Sequence, residues 1–309
     1  MNPDSPSPVQ SRFVPRTRPN FFLLGAPKCG TTAMASYLEA HPQVLLSKPK
    51  EAKFFHTDFE PSHRLVHDEV EYLACFGENP ELVPAVGEAT VWYLYSQVAV
   101  NNILRFNPQA RFLVMVRHPV ELCHSLHAQL LFGGDEDVKD FEAAWRLQPV
   151  RAVGHAVPRF CRDPKSLQYG AIARLGEQLE RLYAQVPKQR VHVTVFDDFT
   201  RDPERAYHEV LEFLGLEART LIDPPVVNAS RRVTLGPLAS TLRFLGYLKR
   251  RIGIRRSFGI WRLATPLFSR SRSRPPLSPD FRRELVEFFR DDVDHLAGLL
   301  GRDLTKWKS

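Results

Sequence analysis

Residues 21–38 constrain this chain more than any other stretch. Phe21-Phe22-Leu23-Leu24 is a continuous apolar run, the pattern of a strand buried on both faces. Gly25-Ala26-Pro27-Lys28-Cys29-Gly30 then turns the chain, and residues 31–38 read as a helix that stops before His41-Pro42. A strand, a Gly-rich turn and a helix in this order aim backbone N–H groups and a positive helix end at one point, which suits a phosphate or sulfate. The spacing Gly25-x-x-x-x-Gly30 matches a Walker A loop, but Thr31-Thr32 stand where that motif has Lys-Ser or Lys-Thr. The lysine lies inside the loop, at Lys28. A lysine there, followed by two hydroxyls, suits a phosphoryl or sulfuryl oxygen held without a metal.

The rest of the chain repeats the alternation. Residues 85–87, 112–116 and 191–196 read as further buried strands. Helical patterns occur at 96–106, 120–131, 171–185 and 203–214, with a last helix at 279–300. Pro203 and Pro279 sit near helix starts, and Gly215 and Gly301 at helix ends. Strands alternating with helices predict an α/β fold, with a central parallel sheet under helices on both faces. We expect a flexible arm at 1–19, then a single domain over 20–309. Within it, residues 231–274 form a basic, mainly helical excursion.

Charge respects that division. The net +7 of the 309 residues is a sum over two regions of opposite sign. Residues 231–274 hold 12 basic residues and no acid, and the remainder carries 30 basic against 35 acidic residues. Cys29, Cys75, Cys123 and Cys161 form no C-x-x-C pair and lie at no zinc-ligand spacing to a histidine, so we expect reduced, mostly buried thiols. The N-terminal stretch has no apolar h-region, and no run reaches the roughly 20 apolar residues of a membrane span. The expectation is a cytoplasmic protein, with peripheral contact to an anionic surface through 231–274. No metal and no nucleic acid are expected. His56, His63 and His67 complete no familiar ligand set and are read as scattered surface histidines.

A second anion site supports the first. Arg117 ends the strand at 112–116, where open parallel sheets bind ligands, and its planar donor fork suits a phosphate. Ser125 lies eight residues on, about two helical turns, and can share a helix face with the start. The residues alone leave a plain turn, a surface ion pair at Arg117 and a solvated Glu51 open.

Taken in order, these motifs resemble the sulfotransferases that use 3′-phosphoadenosine 5′-phosphosulfate (PAPS), above all the bacterial and carbohydrate-type members related to heparan sulfate sulfotransferases. Residues 27–32, Pro-Lys-Cys-Gly-Thr-Thr, are similar to that family's 5′-phosphosulfate loop, and Arg117 through Ser125 to its 3′-phosphate motif. Lys50-Glu51-Ala52-Lys53-Phe54-Phe55 is similar to the stretch that carries the catalytic glutamate in carbohydrate members. Gly87-Glu88-Ala89-Thr90 and the C-terminal segment ending at Trp307 are also family-like. The chain departs from the pattern at Leu122, where many members have a second basic residue, and at His124, where Tyr is usual. Gly170-Ala171-Ile172 replaces a common G-x-Y.

The resemblance implies a P-loop-like three-layer α/β/α fold and an enzyme that moves a sulfuryl group in line from PAPS to a hydroxyl or amine, leaving 3′,5′-adenosine bisphosphate (PAP). It implies Lys28 as the group that stabilises the leaving oxygen and Glu51 as general base. The nucleotide-binding set is Lys28, Cys29, Gly30, Thr31, Thr32, Arg117, Ser125 and Arg231. If Lys48, Lys50 and Lys53 lie near Glu51 in space, their charges favour its carboxylate form. The acceptor is a small molecule or carbohydrate, with carbohydrate or glycolipid favoured by the stretch around Glu51. Two other readings stay open at this point: a P-loop kinase or nucleotide hydrolase, and a non-enzymatic basic module that binds a polyanion or membrane surface through 231–274.

Overall fold

The computed structural model describes residues 18–77, 83–221, 231–233, 269–271 and 275–309. Five strands form one parallel sheet: β1 (Phe21–Gly25), β2 (Val44–Leu46), β3 (Ala85–Ala89), β4 (Arg111–Val116) and β5 (Val191–Val195), in the order β2-β3-β1-β4-β5. Helices α1 (Thr31–Glu39), α2 (Glu69–Ala74) and α3 (Ala99–Phe106) succeed β1, β2 and β3 in turn. Helices α4 (Pro119–Gly133), α5 (Phe141–Arg146), α6 (Gln148–Ala152), α7 (Tyr169–Ala173) and α8 (Leu175–Tyr183) lie between β4 and β5. After β5 come α9 (Phe196–Arg201), α10 (Pro203–Leu214) and α11 (Pro279–Leu300). A separate antiparallel pair joins β6 (Arg231–Val233) to β7 (Ser269–Ser271). The three-layer α/β/α architecture expected from the alternation is the one observed. Apart from 18–19, 231–233 and 269–271, the proposed arm and the basic excursion lie outside the described residues.

Burial explains the strand pattern. β1 and β3 are buried over their whole length, and β4 everywhere except Arg111. Phe22 pairs with Phe112 of β4, and Leu23 with Ala89 of β3. Gly87 makes room for the ring of Phe21: a Cβ there would sit 2.1 Å from the ring. The order of the strands decides where a ligand can go. From β1 the chain builds the β2–β3 side, then crosses over to β4 and β5. The carboxyl ends of β1 and β4 therefore flank the point where the order reverses, the usual ligand crevice of an open α/β sheet.

The structure revises several boundaries. The short β2 was not expected. The helix predicted over 171–185 is two helices, because Arg174 leaves helical geometry at φ −76° and ψ 78°. Its second half starts afresh under a cap from another element: Gly176 and Glu177 donate their N–H groups to the Asp292 carboxylate of α11, at 3.1 and 2.9 Å. The helix expected from residue 96 begins at Ala99, with Val98 at its N-cap and the Ser96 hydroxyl accepting from the Ala99 amide at 3.1 Å. Among the described residues no helix is long and apolar enough to cross a membrane.

Candidate active site

The loop between β1 and α1 is built for close approach. Gly25 holds φ 137°, and a Cβ there would meet the Val91 carbonyl oxygen at 2.4 Å, so only glycine fits. Gly30 caps α1 at φ 88°, against the rings of Phe196 and Phe199. The first amides of α1 have no carbonyl behind them in the helix, and no acid stands in its first turn. That end of the helix is electropositive and suited to an anion. Lys28 stands between the two glycines in left-handed backbone, at φ 66°.

Arg117 reaches the same loop from β4. Its Nη1 donates to the Lys28 carbonyl at 2.9 Å, and its guanidinium lies 4.5 Å from the centre of the Phe196 ring. One bond and one ring thus orient the fork across the β1/β4 crevice. Cys29 is fully buried in this loop, and burial pushes its thiol up to about 12 against the opposing charges of Arg117 and Lys28. The thiol is therefore no nucleophile. All four cysteines are free thiols, three of them buried.

Glu51 joins the loop through a lysine. Lys50 Nζ lies 3.6 Å from Glu51 Oε1 and donates to Thr32 Oγ1 at 3.3 Å. Lys53 Nζ approaches Glu51 Oε2 at 3.8 Å. Lys48, the third lysine near Glu51 in sequence, pairs with Glu39 at 3.2 Å. Glu51 and Lys53 both hold positive φ, at 63° and 56°, a conformation that costs on the order of 1 kcal/mol or more for a residue with a side chain. Burial pushes the Lys53 ammonium below its usual range, Glu51 opposing and Arg162 adding to the shift. Arg162 itself clasps Asp135 with Nε, at 2.9 Å, and Nη2, giving this side of the site a fixed pair of charges.

The predicted residues fall into two groups. Lys28, Cys29, Gly30, Thr31, Thr32 and Arg117 share one crevice, and Glu51 is tied to it. Ser125 is buried on α4, whose first turn His118 caps by accepting from the Val120 amide at 3.2 Å. β6, with Arg231, lies against α4, and the Arg231 side chain is outside the described residues. His56 and His63 are not the surface histidines expected. Both are buried, 3.0 Å apart at Nε2 and Nδ1, among Phe59, Trp92 and Tyr93. Burial lowers both, His56 to about 3 and His63 further, with Lys53 adding to each shift, so both are neutral at physiological pH. Among the described residues no cluster of three or more His, Cys, Asp or Glu could hold a metal ion.

One important group escaped the sequence reading as a site residue: Glu88, fully buried on β3. Its carboxylate accepts from the hydroxyls of Tyr72 at 2.9 Å, Tyr93 at 2.8 Å and Thr90. An acid within an apolar strand was the available signal. Burial lifts its carboxyl to about 7, against the pull of those hydroxyls. The folded protein therefore holds a proton that the unfolded chain releases near pH 4.5. This contribution to stability is fully present below that pH and is lost as pH rises to about 7. Glu88→Gln removes the titration. Between pH 4.5 and 8 the parent chain should lose on the order of 3 kcal/mol that the variant keeps, read by urea unfolding at each pH. Parallel pH profiles would contradict the assignment.

The sequence model described as Sulfotransferase family matches residues 94–220. The chain is 22% identical over 303 residues to a mouse bifunctional heparan sulfate N-deacetylase/N-sulfotransferase, covering 94% of this chain and 31% of that protein. Human carbohydrate sulfotransferase 15 is 23% identical, over 73% of this chain and 50% of its own length. The chain thus spans about a third of the first of these relatives and half of the second. A solved sulfotransferase from Alicyclobacillus acidocaldarius superposes with a TM-score of 0.71 at 25% identity, covering 95% of this chain and 100% of that one. By a sequence model over residues 94–220 and by the fold of a solved sulfotransferase, the chain is thus similar to sulfotransferases.

Proposed function

We propose that this chain transfers a sulfuryl group from PAPS to a hydroxyl or amine of a carbohydrate or glycolipid acceptor. The observation that carries the reading is the pairing of two placements: Arg117 bonded to the Lys28 carbonyl across the crevice, and Glu51 linked to Thr32 through Lys50. PAPS supplies the sulfuryl group and a 5′-phosphate leaving group. Around it, Lys28 neutralises the charge that builds on the leaving oxygen. The amides of Cys29 and Gly30 and the hydroxyls of Thr31 and Thr32 serve as fixed donors, the main electrostatic lever in such a transfer. Glu51 takes the acceptor's proton. Lys50 and Lys53 lie within 4 Å of its carboxylate oxygens. Names of the relatives that specify heparan sulfate or carbohydrate support a sugar acceptor.

Arg117, with Ser125 and Arg231, is assigned to the 3′-phosphate. The test is discrimination between PAP and AMP, which differ by that group. Arg117→Ala should lower PAP affinity by about 10- to 100-fold while leaving AMP affinity little changed, because a charge-assisted fork to phosphate is worth about 1.5–3 kcal/mol. Calorimetry with both nucleotides reads this directly. Unchanged preference for PAP would remove Arg117 from the site. Tighter binding of ATP with magnesium than of PAP would revive the kinase reading.

A further inference from the structure

We propose that Glu88 and Tyr93 are positioning residues for Glu51, acting through the backbone that carries it; the inference rests on reading Glu51 as the base. Glu88 is 0% exposed on a central parallel strand, where an acid is costly unless fully bonded. Three hydroxyls satisfy it, from Tyr72, Thr90 and Tyr93. Two of these do more. Thr90 Oγ1 accepts the Lys53 amide at 3.3 Å, and Tyr93 Oη accepts the amides of Phe54 at 2.9 Å and Phe55 at 3.2 Å. Three successive N–H groups just after Glu51 are therefore held by two hydroxyls bound to one carboxylate.

The chemistry of the hydroxyl makes this directional. It has one proton and two lone pairs. With the proton committed to Glu88, the lone pairs face the loop amides. Without an acceptor at Glu88, the Tyr93 proton is free to turn toward the loop, where it would meet two further donors. Ring packing adds the depth that hydrogen bonds do not set. Phe54 stacks on Tyr72 with centres 4.7 Å apart, and Phe55 lies edge-on to Tyr72 at 5.0 Å and to Tyr93 at 5.9 Å. Lys53, whose amide is in this network, also points its ammonium at Glu51. Glu51 and Lys53 are in left-handed backbone, which persists only where the surroundings over-determine it. The anchored amides supply that constraint, so the direction of the Glu51 carboxylate depends on a residue buried beneath it.

Tyr93→Phe keeps the ring and removes the acceptor. Hydrogen exchange on the PAP complex should show the amides of Phe54 and Phe55 exchanging about tenfold faster or more, with β1, β3 and β4 unchanged. PAP affinity should stay within about twofold, and kcat for transfer from PAPS should fall about 10- to 100-fold with little change in acceptor KM. Glu88→Gln should retain most of the turnover, since its amide oxygen accepts from Thr90 and Tyr93 while its NH2 donates to Tyr72. Unchanged exchange at 54 and 55, or unchanged kcat despite faster exchange, would overturn the proposal. So would faster exchange across the whole sheet with loss of PAP binding, which marks a merely structural role. Failure of the underlying reading is separate: it shows as full activity of Glu51→Gln.

Discussion

Glu51→Gln should bind PAP as the parent chain does and transfer sulfur from PAPS about 10²- to 10⁴-fold more slowly, the range that a general base contributes. Gln keeps the size and one acceptor oxygen of Glu, so the loop at positive φ and its backbone contacts persist. What disappears is the carboxylate that faces Lys50 and Lys53. The Thr32 hydroxyl keeps its bond from Lys50, so the phosphate loop is untouched. The expected signature is therefore a fall in kcat with nucleotide affinity intact. Labelled transfer to a carbohydrate acceptor, beside a PAP titration, separates the two quantities. Turnover within a few-fold of the parent would remove Glu51 as base.

Lys28→Ala should cost about 10²- to 10³-fold in kcat, comparable to removing one preorganised donor from a developing oxyanion. The substitution is cleaner than most in such a loop. Lys28 already holds φ 66°, and Ala accepts that backbone no less readily than Lys does. The bond from Arg117 goes to the main-chain carbonyl, which Ala retains. The variant should fold normally, and PAP should still bind through the loop amides and Arg117, more weakly. Single-turnover measurement with labelled PAPS isolates the chemical step. A normal single-turnover rate would show that the leaving oxygen is stabilised elsewhere.

The features legible from sequence are those whose chemistry is local. The apolar run 21–24, the two glycines around Lys28 and the double Thr state their geometry within about a dozen residues. Arg117 was legible for the same reason, since a strand end before His118-Pro119 announces its own boundary. Long-range contacts were not legible. The sequence offered three lysines near Glu51, and only the fold decides that Lys50 and Lys53 face it while Lys48 turns to Glu39. His56 and His63 looked like surface residues because their spacing says nothing about Phe59, Trp92 and Tyr93 closing around them. The break at Arg174 is followed by a helix start capped from Asp292, more than a hundred residues away. Glu88 lay in a motif already noted, yet its consequence required the hydroxyls of Tyr72, Thr90 and Tyr93 converging from three positions.

The most direct test incubates the full chain with sulfur-labelled PAPS and fractionated glycans in the presence of EDTA. The expected result is covalently labelled glycan and released PAP, both dependent on the chain and both lost in Glu51→Gln. Label that stays in PAPS and free sulfate at the level of a control without protein would contradict it.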